Sequence, residues 1–496
     1  MKNQSPFMAT FFLSLTTLFL CLLSHDCVAS KEPEFINVYE TVSKLANNGE
    51  PKYQLLLSEI LDLGLFASRD RDKSIFWLKE SATAGIAEAQ FRLGHWFESA
   101  ENGKSRDYKN ANFWYEKAAI QGHSRATYYL GINYVGGLGR DEDVAKGLEF
   151  YERAAELGYP AAQFSLAYRF LGGDQIAQDY DQAMFWYKRA ANQNHGHAHY
   201  NLGNAYKNGA CVKQDYDMAI KWYESAGSLG SAKSFHNLAR MYLYGTGVEK
   251  DINVALSLFR EGAHLGDASS IYMIGKFYRD GIGVEKDYCL AAQRFARAAK
   301  QESELAMEAL GKMRSNGLCV AKNQHLAFQY YLESAKRGNT RVLNTVAARY
   351  FNGAGVDRDY RKAFDWYFRS AEADNPEAKY RLSRLYMKGL GTPKNMGKSF
   401  QLLEESADLN YEWAQYTLGW YYYDGQYINQ NLRLAFENFR KAAQSGVSKA
   451  QFYLGKFYQE GIYVQKDLDS AMEWYALAAD QGHESSRKAL RRMHKD

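Results

Sequence analysis

Residues 198–230 read AHYNLGNAYKNGACVKQDYDMAIKWYESAGSLG, and the number of times this pattern returns decides the fold. Its Leu202 belongs to a series of apolar markers: Leu57, Leu93, Leu130, Leu166, Leu202, Leu238, Ile274, Leu310, Val346, Leu382, Leu418, Leu454 and Leu490. Every interval is 36 residues except the 37 between Leu93 and Leu130. A period of about 20–50 residues marks a solenoid or array, so dividing the chain into ordinary domains is the wrong arithmetic.

Each period reads as two helices. A small residue often lies four before the marker and an aromatic four after, as in Ala126, Leu130, Tyr134 and Ala162, Leu166, Phe170. Spacings of four place them on one helical face, defining helix A. Pro160 and Pro376 fall six before a marker, in the first turn, where a missing N–H costs nothing. Gly follows seven after the marker in ten successive units, from Gly137 to Gly461, and suits a left-handed helix end. Helix B opens at an Asp or Asn in all twelve units, from Asp70 to Asp467, which predicts an N-cap. It carries aromatic pairs such as Trp222-Tyr223 and Trp474-Tyr475 and ends on small residues such as Ala478-Ala479.

Composition supports a folded chain: 46% hydrophobic, 15% aromatic, only 6 Pro in 496 residues. Lys+Arg 61 against Asp+Glu 57 leaves +4, too balanced for a bulk nucleic-acid binder, which needs a concentrated basic footprint. Lys2 precedes the apolar run Phe11–Leu23, which is too short to span a bilayer and has the length of a secretory core. Small residues at Ala29 and Ser30 suit cleavage there. Asp26 before Cys27 and Leu20 before Cys21 do not suit lipidation. The expected organisation is a leader at 1–30, a cap or partial repeat at 31–52, repeats over 53–484 and a partial repeat at 485–496. The mature chain is expected to be exported, periplasmic or secreted, with no integral membrane segment after cleavage.

The unit resembles the Sel-1-like repeat, a relative of the tetratricopeptide repeat. The resemblance rests on the Ala-x-x-x-Leu-Gly start (Ala126 to Gly131), the Tyr-x-x-Gly-x-Gly-Val turn (Tyr242 to Val248) and the Asp-x-x-x-Ala…Trp-Tyr…Ala run (Asp215 to Ala226). It implies an all-α, right-handed superhelical solenoid of about twelve 36-residue helix-turn-helix repeats, acting as an adaptor or scaffold. Cysteine-rich relatives pair two cysteines within each repeat, whereas here no unit holds two.

No catalytic, cofactor or metal constellation assembles. Gly136-Gly137-Leu138-Gly139 is phosphate-loop-like but falls in the helix A–B turn. Ser485-x-x-Lys488 matches a nucleophile pair, yet lacks a Lys-Thr-Gly partner and opens the last helix A. His195, His197 and His199 alternate at a helix start, so at most His195 and His199 share a side, and solvated or capping roles are expected. Cys211, Cys289 and Cys319 follow the leader, an odd number that gives no complete disulfide framework. Cys211 and Cys319 replace the second Gly of the turn, three repeats apart, and read as small turn residues.

The informative feature is a row. Two residues after the markers from Leu93 to Leu454 lie His95, Ile132, Tyr168, Asn204, Arg240, Lys276, Lys312, Ala348, Arg384, Trp420 and Lys456, whose identity varies from unit to unit, so packing does not dictate it. Helix A lines the concave side in related solenoids, where Arg240, Lys276, Lys312, Arg384 and Lys456 would form a basic ladder. Trp420, Tyr421 and Tyr423 do not follow from the repeat and read as exposed aromatic anchors. The expected function is a non-enzymatic, cofactor-free scaffold that binds a protein partner bearing an acidic or extended segment. Binding of cell-wall glycan through the same residues is the alternative, and a β-lactam or peptidoglycan hydrolase is a third reading.

Overall fold

The structure, a computed structural model, describes residues 38–65, 67–99, 105–173 and 175–493. The leader expected at 1–30 lies outside them. Two compact units form, one ending at His195 and the other starting at Gly196. Among the described residues there are 26 α-helices and no strand, and none of the helices is long and apolar enough to cross a membrane. Within each unit, every helix A packs against its own helix B, and every helix B against the following helix A.

The helix ends form where the local chemistry demands. All twelve Asx side chains accept the backbone N–H two or three residues on, as Asp215 does from Met218 and Asn431 from Leu434. Each cap satisfies a donor that the helix itself cannot and is worth about 1 kcal/mol. The ten turn glycines from Gly137 to Gly461 hold φ between 60° and 74°, a conformation only glycine adopts freely. Pro160 and Pro376 occupy first-turn positions, as does Pro51.

The markers from Leu57 to Leu454 are no more than 6% exposed, while Leu490 is half-buried. The glycine after the marker lets the helix B ring lie flat on the helix A backbone. A Cβ on Gly203 would sit 2.6 Å from the Tyr223 ring, and one on Gly275 2.6 Å from Phe295. In Trp222-Tyr223 and Trp474-Tyr475 the second member is the buried one. Three before the marker, a buried glutamine closes the seam between repeats. Gln90, Gln163, Gln415 and Gln451 donate to Ala82, Ala155, Ala407 and Ala443 carbonyls at 3.0–3.2 Å, a second hydrogen bond to carbonyls that already accept a backbone N–H from the turn after helix B. His199 occupies this same position. It is 6% exposed and edge-on to Trp222 at 5.1 Å, a core histidine rather than the solvated or capping one expected.

The cysteines require a larger correction. Cys289 and Cys319 form a disulfide, with Cα atoms 5.0 Å apart and 30 residues between them in sequence. The second turn residue rests on the start of the preceding helix B: a Cβ on Gly283 would meet Ile252, and one on Gly247 would meet Tyr216. Cys319 holds that place with φ 57° and reaches Cys289 in the first turn of Tyr288–Lys300. The bridge joins two consecutive repeats, which is why no single unit holds two cysteines. Cys211 remains free, half-buried, with φ 72°.

Candidate functional site

The row two residues after the marker divides between the units. His95, Ile132 and Tyr168 belong to the first unit, and all five basic members belong to the second. Arg240 and Arg384 are exposed and lean toward Tyr244 and Tyr380, each 5.9 Å from the ring centre. Neither has a carboxylate within ion-pair distance among the described residues. Lys276 is half-buried, and its charge is among those that hold the Asp280 carboxyl below the usual range, after the Arg279 hydrogen bond. Lys312 is exposed but pairs with Glu308 one turn back. Lys456 is half-buried, donates to Tyr423 Oη at 3.0 Å and lies 4.0 Å from Glu460.

The aromatic trio sits differently from the expectation of exposed anchors. Tyr421 is 9% exposed because three after the marker is itself a core position, filled elsewhere by Met241, Phe277, Met313, Leu385 and Phe457. Trp420 is half-buried between the clusters around Leu418 and Phe439. Tyr423 packs on Tyr453 at 5.6 Å and Phe457 at 5.7 Å. The exposed aromatics nearby are Trp413 (41%) and Tyr427 (47%).

Residues outside the row complete the face of the second unit. Tyr223 Oη donates to Asn204 Oδ1 at 2.6 Å, and Asn237 Nδ2 donates to the same oxygen at 3.1 Å. Lys207, one turn beyond Asn204, is half-buried. Burial and the adjacent Arg240 cation hold its ammonium below the ordinary value. Nothing in the repeat pattern singles out Lys207 or Asn237; only their neighbours across the helix A–helix A seam do.

The corresponding face of the first unit is self-neutralised and aromatic. Arg92 bridges Glu59 and Glu88, and His123 Nε2 lies 2.9 Å from Glu88. Burial opposes ionisation of Glu88, but the His123 hydrogen bond and the Arg92 charge outweigh it and bring its carboxyl down to about 2. Phe91 stacks on His123 at 4.8 Å and on Tyr115 at 5.9 Å, and the Tyr115 hydroxyl is spent on Glu98.

Of the remaining motifs, the Gly136–Gly139 run forms the turn after helix Ser124–Val135. Ser485 and Lys488 are both exposed on helix Glu484–Met493.

Comparison with known proteins agrees with this architecture. The Sel1 repeat model matches twelve segments, from residues 51–86 to residues 448–483. The crystal structure of a protective antigen of uropathogenic Escherichia coli strains, which displays an SLR fold, is 31% identical, covers 85% of this chain and 90% of its own, and gives a TM-score of 0.63. A Sel1 repeat protein from Oxalobacter formigenes is 27% identical over 65% of this chain and 97% of its own, with a TM-score of 0.49. A protein of Neisseria meningitidis serogroup B is 31% identical over 102 residues, and the chain spans only about a fifth of that relative's length. With the family's repeat running almost unbroken along the described helices, the chain belongs to the Sel1 repeat family.

Proposed function

We propose that this chain is an exported, non-enzymatic adaptor that binds a protein partner through the helix A face of residues 196–496. The observation that carries the reading is the set of basic side chains on that face. They stand at a position the fold leaves free to vary, and Arg240 and Arg384 lack a carboxylate of the chain's own among the described residues. A rigid stack of helices that presents many polar contacts reduces the ordering cost of holding an extended segment. Cations of one sign favour an acidic segment and raise its encounter rate. Export is supported by the Cys289–Cys319 disulfide, since such bridges persist chiefly in oxidising compartments, and by the leader-like run Phe11–Leu23. The likeness to a protective antigen suits a role in the cell envelope or against a host.

The test is capture by the chain starting at Lys31 from envelope extract and from host-cell lysate, with Lys276→Glu/Lys312→Glu in parallel. A protein held by the wild type and lost by the variant supports the reading. Retention of wall glycan with no protein partner would replace it with the glycan reading, which the exposed Trp413 and Tyr427 would then serve.

A further inference from the structure

We propose that Asn204, Lys207, Asn237 and Arg240 form a carboxylate-binding site, in which one carboxylate of an extended peptide bridges Lys207 and Arg240 against the Asn204 amide. The proposal rests on the reading of the helix A face as the binding surface and assigns the chemistry of one place on it.

The site is built by the repeat. Asn204 and Lys207 lie one turn apart on helix Gly196–Asn208, and Asn237 and Arg240 one turn apart on helix Ala232–Tyr244, so each pair shares a side of its helix. The two helices are tied at this level by the Asn237–Asn204 hydrogen bond. Asn204 Oδ1 accepts from both Tyr223 Oη and Asn237 Nδ2, and Tyr223 is fully buried, which fixes the ring from below. With its oxygen taken twice, the Asn204 amide is oriented and its NH2 is left as a donor with no partner among the described residues.

The cations beside it are uncompensated, and the chain supplies the comparison. Two repeats on, the same position as Arg240 is Lys312, which is neutralised by Glu308 four residues earlier; the residue four before Arg240 is His236. Arg279 occupies the position of Lys207 and is neutralised by the next residue, Asp280; after Lys207 comes Asn208. Where those two repeats place a carboxylate beside the cation, this one places Asn208 and His236, and His236 is itself turned to Asp267 at 3.4 Å. Two cations side by side, one of them half-buried, repel each other and are relieved by an anion from outside. A guanidinium and a carboxamide both present planar N–H donors, which match a carboxylate. That carboxylate can come from a Glu or Asp side chain or from a chain's C-terminus.

The test is fluorescence anisotropy of the full chain with three labelled Gly-Ser octapeptides. One carries two internal Glu and an amidated end, one two Gln and a free C-terminal carboxylate, and one two Gln and an amidated end. At least one carboxylate peptide is expected to bind ten-fold or more tighter than the neutral one, and which does so identifies the source. Lys207→Gln/Arg240→Gln should abolish the preference, Asn204→Ala should weaken it, and Lys221→Gln, at an exposed position of helix Tyr216–Ser228, should leave it intact; circular dichroism melts would confirm that each variant folds. Equal binding of all three peptides, or a preference that survives Lys207→Gln/Arg240→Gln, would overturn the site. No carboxylate preference in the wild type, with partner capture intact, would refute this site alone. A preserved preference with no protein captured would refute the adaptor reading alone.

Discussion

At the scale of single residues, charge and burial set what each side chain can do. Glu88 shows the pH consequence most clearly. Its folded carboxyl, at about 2, lies below its ordinary value of 4.5. Its contribution is therefore present above about pH 4.5 and is lost as pH falls toward 2. Glu88 is partly exposed, so after allowance for solvent screening this amounts to about 1 kcal/mol. Glu88→Gln should lower the melting temperature at pH 7 and shrink its loss between pH 5 and pH 2.5; melts with unchanged acid sensitivity would show that the Arg92–His123 cluster is not the source. Such effects were only partly legible in the sequence. Asp215 and its equivalents read as caps because they recur in every unit, and the structure has all twelve bonded. Tyr421 read as an exposed anchor because its position three after the marker was missing from the inferred pattern, although Phe277 and Phe457 fill it. Gln90 and Gln451 escaped notice because a glutamine gives no sign in sequence that it will be buried against a carbonyl.

At the scale of helices and turns, two contacts join the array. The first is the helix B ring on the helix A glycine. Gly275→Ala would push a methyl to 2.6 Å from Phe295, and overpacking of this kind costs about 1–3 kcal/mol. A lower urea midpoint at unchanged slope is expected; an unchanged midpoint would mean that the helices separate without cost. The second is the disulfide. By the chain-entropy relation, closing the 30-residue loop between Cys289 and Cys319 is worth about 3–4 kcal/mol. Cys289→Ser/Cys319→Ser should melt at lower temperature than the wild type, and a reductant should reproduce that loss in the wild type but not in the variant. A reductant effect undiminished in the variant would contradict the bridge. The pairing was not legible because the cysteines belong to different units, and a comparison confined to Cys211 and Cys319 looks along the wrong direction of the stack.

At the scale of the whole chain, the same template carries two different faces. In residues 38–195 the helix A face is aromatic, with its charges paired internally around Arg92. In residues 196–496 it carries Arg240, Lys276, Lys312, Arg384 and Lys456. The period made the fold legible almost completely, because every unit restates it. The proposed binding face was legible only as a row of variable positions. Pairing with Glu308 or Glu460, or the absence of a partner at Arg240, depends on neighbours in space. If exposed cations drive recognition, affinity for the partner should fall by ten-fold or more between 50 and 300 mM salt, since screening shortens the reach of such charges to about 6 Å. Affinity independent of salt would transfer the binding to aromatic contacts such as Trp413. The most direct measurement is photo-crosslinking to the captured partner. A crosslinking residue would be placed in turn at Arg240, Lys276 and Arg384 on helix A, and at Gln293, Gln401 and Glu473 on helix B. The adaptor account predicts adducts from the three helix A positions and none from helix B; adducts confined to helix B would contradict it.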